Sequence, residues 1–489
     1  SANPHTANAC GERREIRLLN RPCLSDSLPG TPRAGAAPML SPPPTRLLPS
    51  PTGDGVAPTY PRATPSSTFP TRSRRPYNVI LMQLHPFALE RYFARYEFAV
   101  RHLLSASDCD GPSLPELLAL ADDEVTSAWQ ALRLGYTESQ GLPALRAEVA
   151  AWCLQTLDNR APRKAVIHDS AGQGATVAPR SPALRADDVL LCAPEEGILL
   201  MMLALVGPHD HVVSIFPGYQ SLYDIARGKG ARVDFWRPRE EEGWRFAVED
   251  LQKLVRPGVT KLVVCNFPHN PTGYVPPAAD FDRIVRLVED AGAILFSDEM
   301  YLGLEMRGTE ALPCAAALSE TAVALGGVSK SLGLPGLRLG WLVSRNTAVL
   351  SACATLKDYT TICSAAPSEL LALAALRARR TILAENLARV TDNLRLLQDF
   401  CDRHPGLLQV APPRGGTVCF PRLLSPAGAS DLCRALAEEA GVLLLPSTVY
   451  DYGDTHVRVG LGRRAFPEAL QAFEEFIRRY PGAYGGTSE

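Results

Sequence analysis

Lys330 stands between two serines in the run GGVSKSLGLPGLRLGW (residues 326–341), with Arg338 eight positions further on and glycines between them. An amine beside a hydroxyl and a guanidinium suits a cofactor that carries both an aldehyde and a phosphate. The amine can form a Schiff base with the aldehyde. Ser329 and Arg338 can hold the phosphate dianion, the arginine through a planar fork of donors. Alone the run is only suggestive, because most Ser-Lys pairs are solvated loop residues.

Two upstream runs supply partners. CNFPHNPTGYVPP (265–277) follows KLVV, which reads as the end of a buried strand, and AILFSDEMYLGLE (293–305) is again a strand running out into polar residues. They provide Asn270, Asp298 and Tyr301 in order, Asp298 lying 28 positions after Asn270 and Lys330 a further 32 beyond it. On these ordered motifs the chain resembles the class I/II aminotransferases, pyridoxal 5'-phosphate (PLP) enzymes of fold type I, from about residue 82 to near the C-terminus.

The resemblance implies a role for each residue. Asp298 would keep the cofactor's pyridine nitrogen protonated, as an electron sink requires. Asn270 and Tyr301 would donate to its phenolate oxygen. Lys330 would hold the cofactor and, once freed by substrate, move a proton at Cα. Arg458, in HVRVGLGRRAF (456–466), would pair with the substrate's α-carboxylate as a bidentate fork, with Asn270 beside it, while Arg463 and Arg464 are expected to face solvent. Tyr219 stands where the family places an aromatic ring on the cofactor; ordinary core packing is the alternative. Tyr136, in LGYTESQGLPALR (134–146), would reach the phosphate of a neighbouring subunit, which requires a homodimer; a turn tyrosine without cofactor contact is the alternative. His269 could touch substrate, though a structural hydrogen bond is the plainer reading.

A helix start should complete the phosphate site, since its free N–H groups and dipole attract anions. VLLCAPEEGILLMMLALV (189–206) has the form strand, turn, apolar helix, which makes the backbone of Glu195, Glu196 and Gly197 the natural donors. Two glutamates beside a dianion are unfavourable unless their side chains turn away. The stretches FALERYFARYEF (87–98), NFPHNPTG (266–273) and PRGGTVCFPRL (413–423) further resemble the capreomycidine-synthase-like branch of the family.

Positioning these residues calls for alternating strands and helices. From 187 to 345 that alternation predicts an α/β large domain, a mostly parallel sheet covered by helices on both faces, with the motif residues at strand C-termini where ligands bind. Residues 82–160 and 346–489 are expected to form a smaller α+β domain, the first part also contacting the other subunit of the dimer, and 161–186 to be an insertion loop. Residues 1–81 are rich in Pro, Ser, Thr and Arg and contain no Lys. Disorder is expected there, as a plastid or mitochondrial transit peptide or as an extension foreign to the mature protein; otherwise the compartment is cytoplasmic.

The net charge of −2 over 489 residues gives no pattern for nucleic-acid binding. The 12 cysteines and nine histidines show no metal-site spacing, so no metal is expected, and reduced thiols suit an intracellular enzyme. The longest apolar run, ILLMMLALV, is too short to span a membrane. The sequence therefore predicts a PLP-dependent aminotransferase acting on an L-amino acid and a 2-oxo acid. The alternatives are a PLP lyase or cyclase, of the capreomycidine-synthase or 1-aminocyclopropane-1-carboxylate-synthase kind, and a non-catalytic binding protein on the same scaffold.

Overall fold

The structure, a computed structural model, describes residues 82–158, 166–168, 174–176 and 184–484. The expectations for residues 1–81 and for most of 161–186 fall outside the described residues.

Seven strands form the central sheet: β1 Val189–Cys192, β2 His211–Ile215, β3 Arg232–Trp236, β4 Thr260–Asn266, β5 Ile294–Asp298, β6 Val323–Gly327 and β7 Gly340–Val343. Their order is β1-β7-β6-β5-β4-β2-β3. All pairings are parallel except those of β7, which runs antiparallel to both β1 and β6. In β4 every residue but Lys261 is buried. A strand covered on both faces needs a continuous apolar run rather than alternation, and LVVC supplies it.

The two faces carry separate packing. On one, helix α3 (Pro194–Leu205) and helix α4 (Thr347–Lys357) cover Leu262, Val264, Phe296 and Leu342. On the other lie helix α2 (Pro143–Asp158) and helix α5 (Ala366–Arg377), against Leu191, Ala324, Trp341 and Val343. The expected boundaries at 160 and 345 therefore do not follow the packing. Residues of α2, α4 and α5 complete the core of the sheet, packing with α3 onto its two faces at β1 and β7.

The smaller assembly is built on helix α6 (Arg379–Arg403). It packs through Val390, Leu394, Leu397 and Phe400 onto a three-stranded antiparallel sheet, β8 Val418–Cys419, β10 Val457–Gly460 and β9 Leu445–Pro446. Helix α1 (Ala88–Tyr96) lies across both parts: Leu89 packs with the cluster around Ile215 and Tyr450, and Tyr92 borders the cluster beneath α6. Gly460 and Gly462 let the backbone of residues 104–110 lie close, since a Cβ at either would fall 1.9 Å from Ala106 O or 2.3 Å from Asp108 O. No helix among the described residues is long and apolar enough to cross a membrane.

Candidate active site

A cavity of about 360 Å³ opens at the C-terminal ends of β4, β5 and β6, between the sheet, α1, the segment Ala106–Asp108 and β10. Asn270, Asp298, Tyr301, Ser329, Lys330, Arg338, Tyr219, Glu195 and Arg458 all line it, so residues separated by up to 263 positions meet there.

Asp298 is the last residue of β5, and the loop after β4 is fastened to it. Asn266 donates from Nδ2 to the Asp298 carbonyl (3.1 Å), and its own Oδ1 accepts from the Asn270 N–H (2.8 Å). One side chain thus sets the distance between the two predicted site residues. Asp298 Oδ1 accepts from the Met300 N–H at 3.2 Å. Burial drives its carboxyl up to about 7, against the opposing pull of that N–H and of Lys330.

Lys330 Nζ donates to Ser107 Oγ at 2.9 Å, and burial holds its pKa below the ordinary lysine value. The adjacent Ser329 hydroxyl and the Tyr301 phenol are buried with no hydrogen-bond partner. Buried polar atoms are rarely left unsatisfied, so two in one cavity mark where a polar ligand group would sit.

Arg458, on β10, is 1 % exposed. It donates from Nε and Nη2 to Ser105 O (3.1 and 2.8 Å), and from Nη1 to Tyr450 Oη (2.6 Å) and Asn270 Oδ1 (3.3 Å). None of the ion pairs between described residues includes it. A buried guanidinium held only by neutral acceptors is costly unless an anion completes it.

The helix start departs from expectation at one residue. Pro194 opens α3, which leaves the N–H groups of Glu195 and Glu196 in the first turn, where no intrahelical acceptor exists. The Gly197 N–H is already given to Ala193 O at 2.9 Å, so it is no free phosphate donor. Gly197 serves packing instead: a Cβ there would lie 2.9 Å from Leu325 Cδ1 and 3.1 Å from Cys192 Sγ. Glu196 does turn away, accepting from Ala193 N (3.2 Å), from Thr361 Oγ1 (2.8 Å) and from Thr360 Oγ1. Glu195 stays on the cavity wall, where burial raises its carboxyl to about 7 and so favours the neutral form. Arg338, exposed at the rim with φ 49°, gives one N–H to Pro335 O at 3.2 Å.

Tyr219 donates to Glu90 Oε1 at 2.9 Å and packs on Phe87 with ring centroids 4.9 Å apart. His269 is structural: its ring nitrogens bond Thr272 Oγ1 (2.7 Å) and Pro217 O (2.8 Å), and burial pushes its pKa down to about 3. Arg464 is exposed as expected, but Arg463 is not solvent-facing. It lines the cavity and pairs with Asp108 (2.8 and 3.0 Å) and Asp110 (2.7 Å), acids 355 and 353 positions away. Tyr136 is 89 % exposed and stands apart from the cavity of its own subunit.

Glu90, Ser105, Ser107, Asp108, Asn266 and Tyr450 complete the site and were not among the expected residues. For Asn266 a signal existed, a polar residue ending an apolar strand; the others belong to segments whose approach depends on tertiary packing. Every described cysteine is a free thiol, and no metal-ligand cluster occurs among the described residues.

The donor set fits PLP: a buried acid, two orphaned hydroxyls, a helix start and a buried lysine share one cavity. Comparison with known proteins agrees. Residues 102–465 match the family model described as aminotransferase class I and II. The chain is 31 % identical over 282 residues to capreomycidine synthase of Streptomyces vinaceus, covering 57 % of this chain and 72 % of that one. A PLP-dependent aminotransferase from Streptococcus suis superposes with a TM-score of 0.70 at 26 % identity, over 81 % of this chain and 99 % of that one. The PLP-dependent cyclase OrfR gives 0.67 at 26 % identity, over 83 % and 100 %.

Proposed function

The chain belongs to the class I and II aminotransferase family, and on that premise we propose that it transfers an amino group between an L-amino acid and a 2-oxo acid, using PLP in the cavity around Lys330. The observation that carries this reading is Arg458, a buried guanidinium on the same cavity as Lys330 with no carboxylate partner among the described residues. A substrate α-carboxylate is the anion that would complete it.

Lys330 would hold PLP covalently, with Asp298 at the ring nitrogen and Asn270 and Tyr301 at the phenolate oxygen. Ser329, Arg338 and the first-turn N–H groups of Glu195 and Glu196 would hold the phosphate, and Tyr219 would lie against the ring. When bound, PLP supplies an electron sink for charge developing at the substrate's Cα. Arg458 orients that carbon by fixing the carboxylate. Lys330, favoured in its neutral form by burial, can take the Cα proton and return it. Leu89, Phe93, Ile198 and Leu325 form the apolar part of the cavity wall beside these groups.

We also infer a homodimer. Leu134 and Tyr136 on one segment and Tyr359 on another are highly exposed. The two segments are tied together by Thr137 Oγ1 to Ser364 O (3.0 Å) and Lys357 Nζ to Ser139 O (3.2 Å). An exposed apolar surface on a fixed frame suits a second subunit.

Similarity to capreomycidine synthase and to the cyclase OrfR supports a second reading, ring closure or elimination without an amino acceptor. Titrating the PLP-loaded protein with amino acids separates the two. Stoichiometric formation of 2-oxo acid with conversion of the cofactor to its amine form supports transamination. Product released with the cofactor unchanged supports the second reading, and failure to bind PLP overturns both.

A further inference from the structure

We propose that Ser107 is a positioning residue for the Lys330 amine, its hydroxyl holding that amine in place and supporting its protonated state. This inference rests on the reading of Lys330 as the proton-moving group.

Three side chains fix the segment that carries Ser107. Arg458 holds the Ser105 carbonyl from two nitrogens (2.8 and 3.1 Å), Thr417 Oγ1 donates to the Ser107 carbonyl (2.7 Å), and Arg463 grips Asp108 (2.8 and 3.0 Å). Backbone bonds from Gly460 N to Leu104 O (2.8 Å) and from Asp110 N to Gly462 O (3.1 Å) close both ends. With its backbone fixed on either side, Ser107 presents its hydroxyl to the cavity, where Oγ meets Lys330 Nζ at 2.9 Å. Such anchoring sets a reacting group to well under an ångström, the tolerance that proton transfer requires.

An oxygen that accepts from an amine stabilises its charged form more than its neutral form. Lys330 is otherwise faced by Asp108 from the same segment, Glu90 from α1, Glu97 just after α1, Arg458 from β10 and Arg338 from its own loop, with Asp298 across the cavity. Burial and the two arginines disfavour its charge, while the acids favour it. Ser107 adds a contact that keeps the freed amine directed inward when it carries a proton.

The test begins on cofactor-free protein. Acetylation of Lys330 by acetic anhydride, followed across pH by peptide mass spectrometry, gives the midpoint of its deprotonation. Ser107→Ala should lower that midpoint by about one pH unit, the effect of a charge-assisted hydrogen bond, while Ser107→Thr should stay near the parent. Loaded with PLP, Ser107→Ala should lose about tenfold or more in kcat with KM within about twofold, the signature of lost proton-transfer support. A midpoint unmoved in Ser107→Ala overturns the inference, whatever turnover does. So does an equal loss in Ser107→Ala and Ser107→Thr, which marks a structural role. Should Ser107→Ala not fold, Ser107→Cys provides the same comparison, because its sulfur is a weak acceptor. Wild-type protein that binds no PLP would overturn the cofactor reading, leaving the cofactor-free midpoints to judge Ser107 separately.

Discussion

Arg458 Nη1 donates to Asn270 Oδ1 across 3.3 Å, so the proposed substrate-carboxylate group and a proposed cofactor-ring group are fixed to each other. Tyr450 Oη bonds both, accepting from Arg458 at 2.6 Å and donating to Asn270 at 3.2 Å. The triangle joins β10 of the smaller assembly to the loop after β4. Substrate and cofactor are thereby placed in one frame across two packed parts.

Replacing Arg458 tests that frame. Arg458→Lys keeps the charge but loses the fork, and Arg458→Ala also strands the Ser105 carbonyl. We expect kcat/KM to fall by about 2–5 kcal/mol in Arg458→Ala, mostly as a rise in KM, with Arg458→Lys intermediate. Steady-state kinetics with a matched amine lacking the α-carboxylate is the control. It should be as poor a substrate for the variant as for the parent. Equal KM for amino acids in parent and Arg458→Ala would remove Arg458 from carboxylate binding.

Asp298 should leave a pH signature in the cofactor-free protein. Burial disfavours the carboxylate and lifts its folded pKa to about 7, above the ordinary aspartate value of about 3.8. Between those values the folded chain keeps a proton that the unfolded chain has released, so stability falls as pH rises through this window and levels above it. Each tenfold difference in proton affinity is worth about 1.4 kcal/mol. Asp298→Asn removes the titration. Its Tm relative to the parent should therefore be higher at pH 8 than at pH 5, with PLP binding abolished or greatly weakened. A Tm difference that does not vary with pH would mean that Asp298 is ionised without the cofactor.

Gly197→Ala separates packing from phosphate binding. The added methyl meets Leu325 and Cys192 at the junction of α3 with β1 and β6, and overpacking there should cost about 1–3 kcal/mol of stability. Because the Gly197 N–H is already committed to Ala193 O, PLP affinity of the folded fraction should stay within about twofold. Thermal melts with PLP titration check both. A large loss of PLP affinity without a loss of Tm would return Gly197 to the phosphate site.

Asn270, Asp298 and Lys330 were legible because each ends or follows an apolar strand, and strand ends of a parallel sheet converge. Tertiary partners were not. Arg463 sits beside Arg464 after a strand, where solvent is the natural expectation. Its burial depends on Asp108 and Asp110, brought from the far end of the chain by the glycines of β10 and the turn after it. Glu90 meets Tyr219 only because α1 lies across the cavity mouth. The antiparallel course of β7 also escaped notice, since GWLV carries the same apolar pattern in either direction. Gly197 illustrates the limit of motif transfer: a helix start is visible in sequence, but which N–H groups remain free depends on where the helix begins.

The dimer prediction turns on Tyr136, which is 89 % exposed and cannot serve the cavity of its own subunit from that position. If it reaches a partner's phosphate, Tyr136→Phe should weaken PLP binding by about 1.5–3 kcal/mol, the range for a hydrogen bond to a charged group, while the fold persists. Complementation makes the assignment sharper. A hybrid of one Tyr136→Phe subunit and one Lys330→Ala subunit contains one wholly native site only when Tyr136 acts across the interface: the first subunit supplies Lys330 and the second supplies Tyr136. Mixing the two inactive or weakened variants at limiting PLP should then restore activity above the sum of the separate proteins. If sedimentation shows a dimer but mixing restores nothing, Tyr136 is an interface residue without cofactor contact. A monomer by sedimentation would discard the shared site altogether.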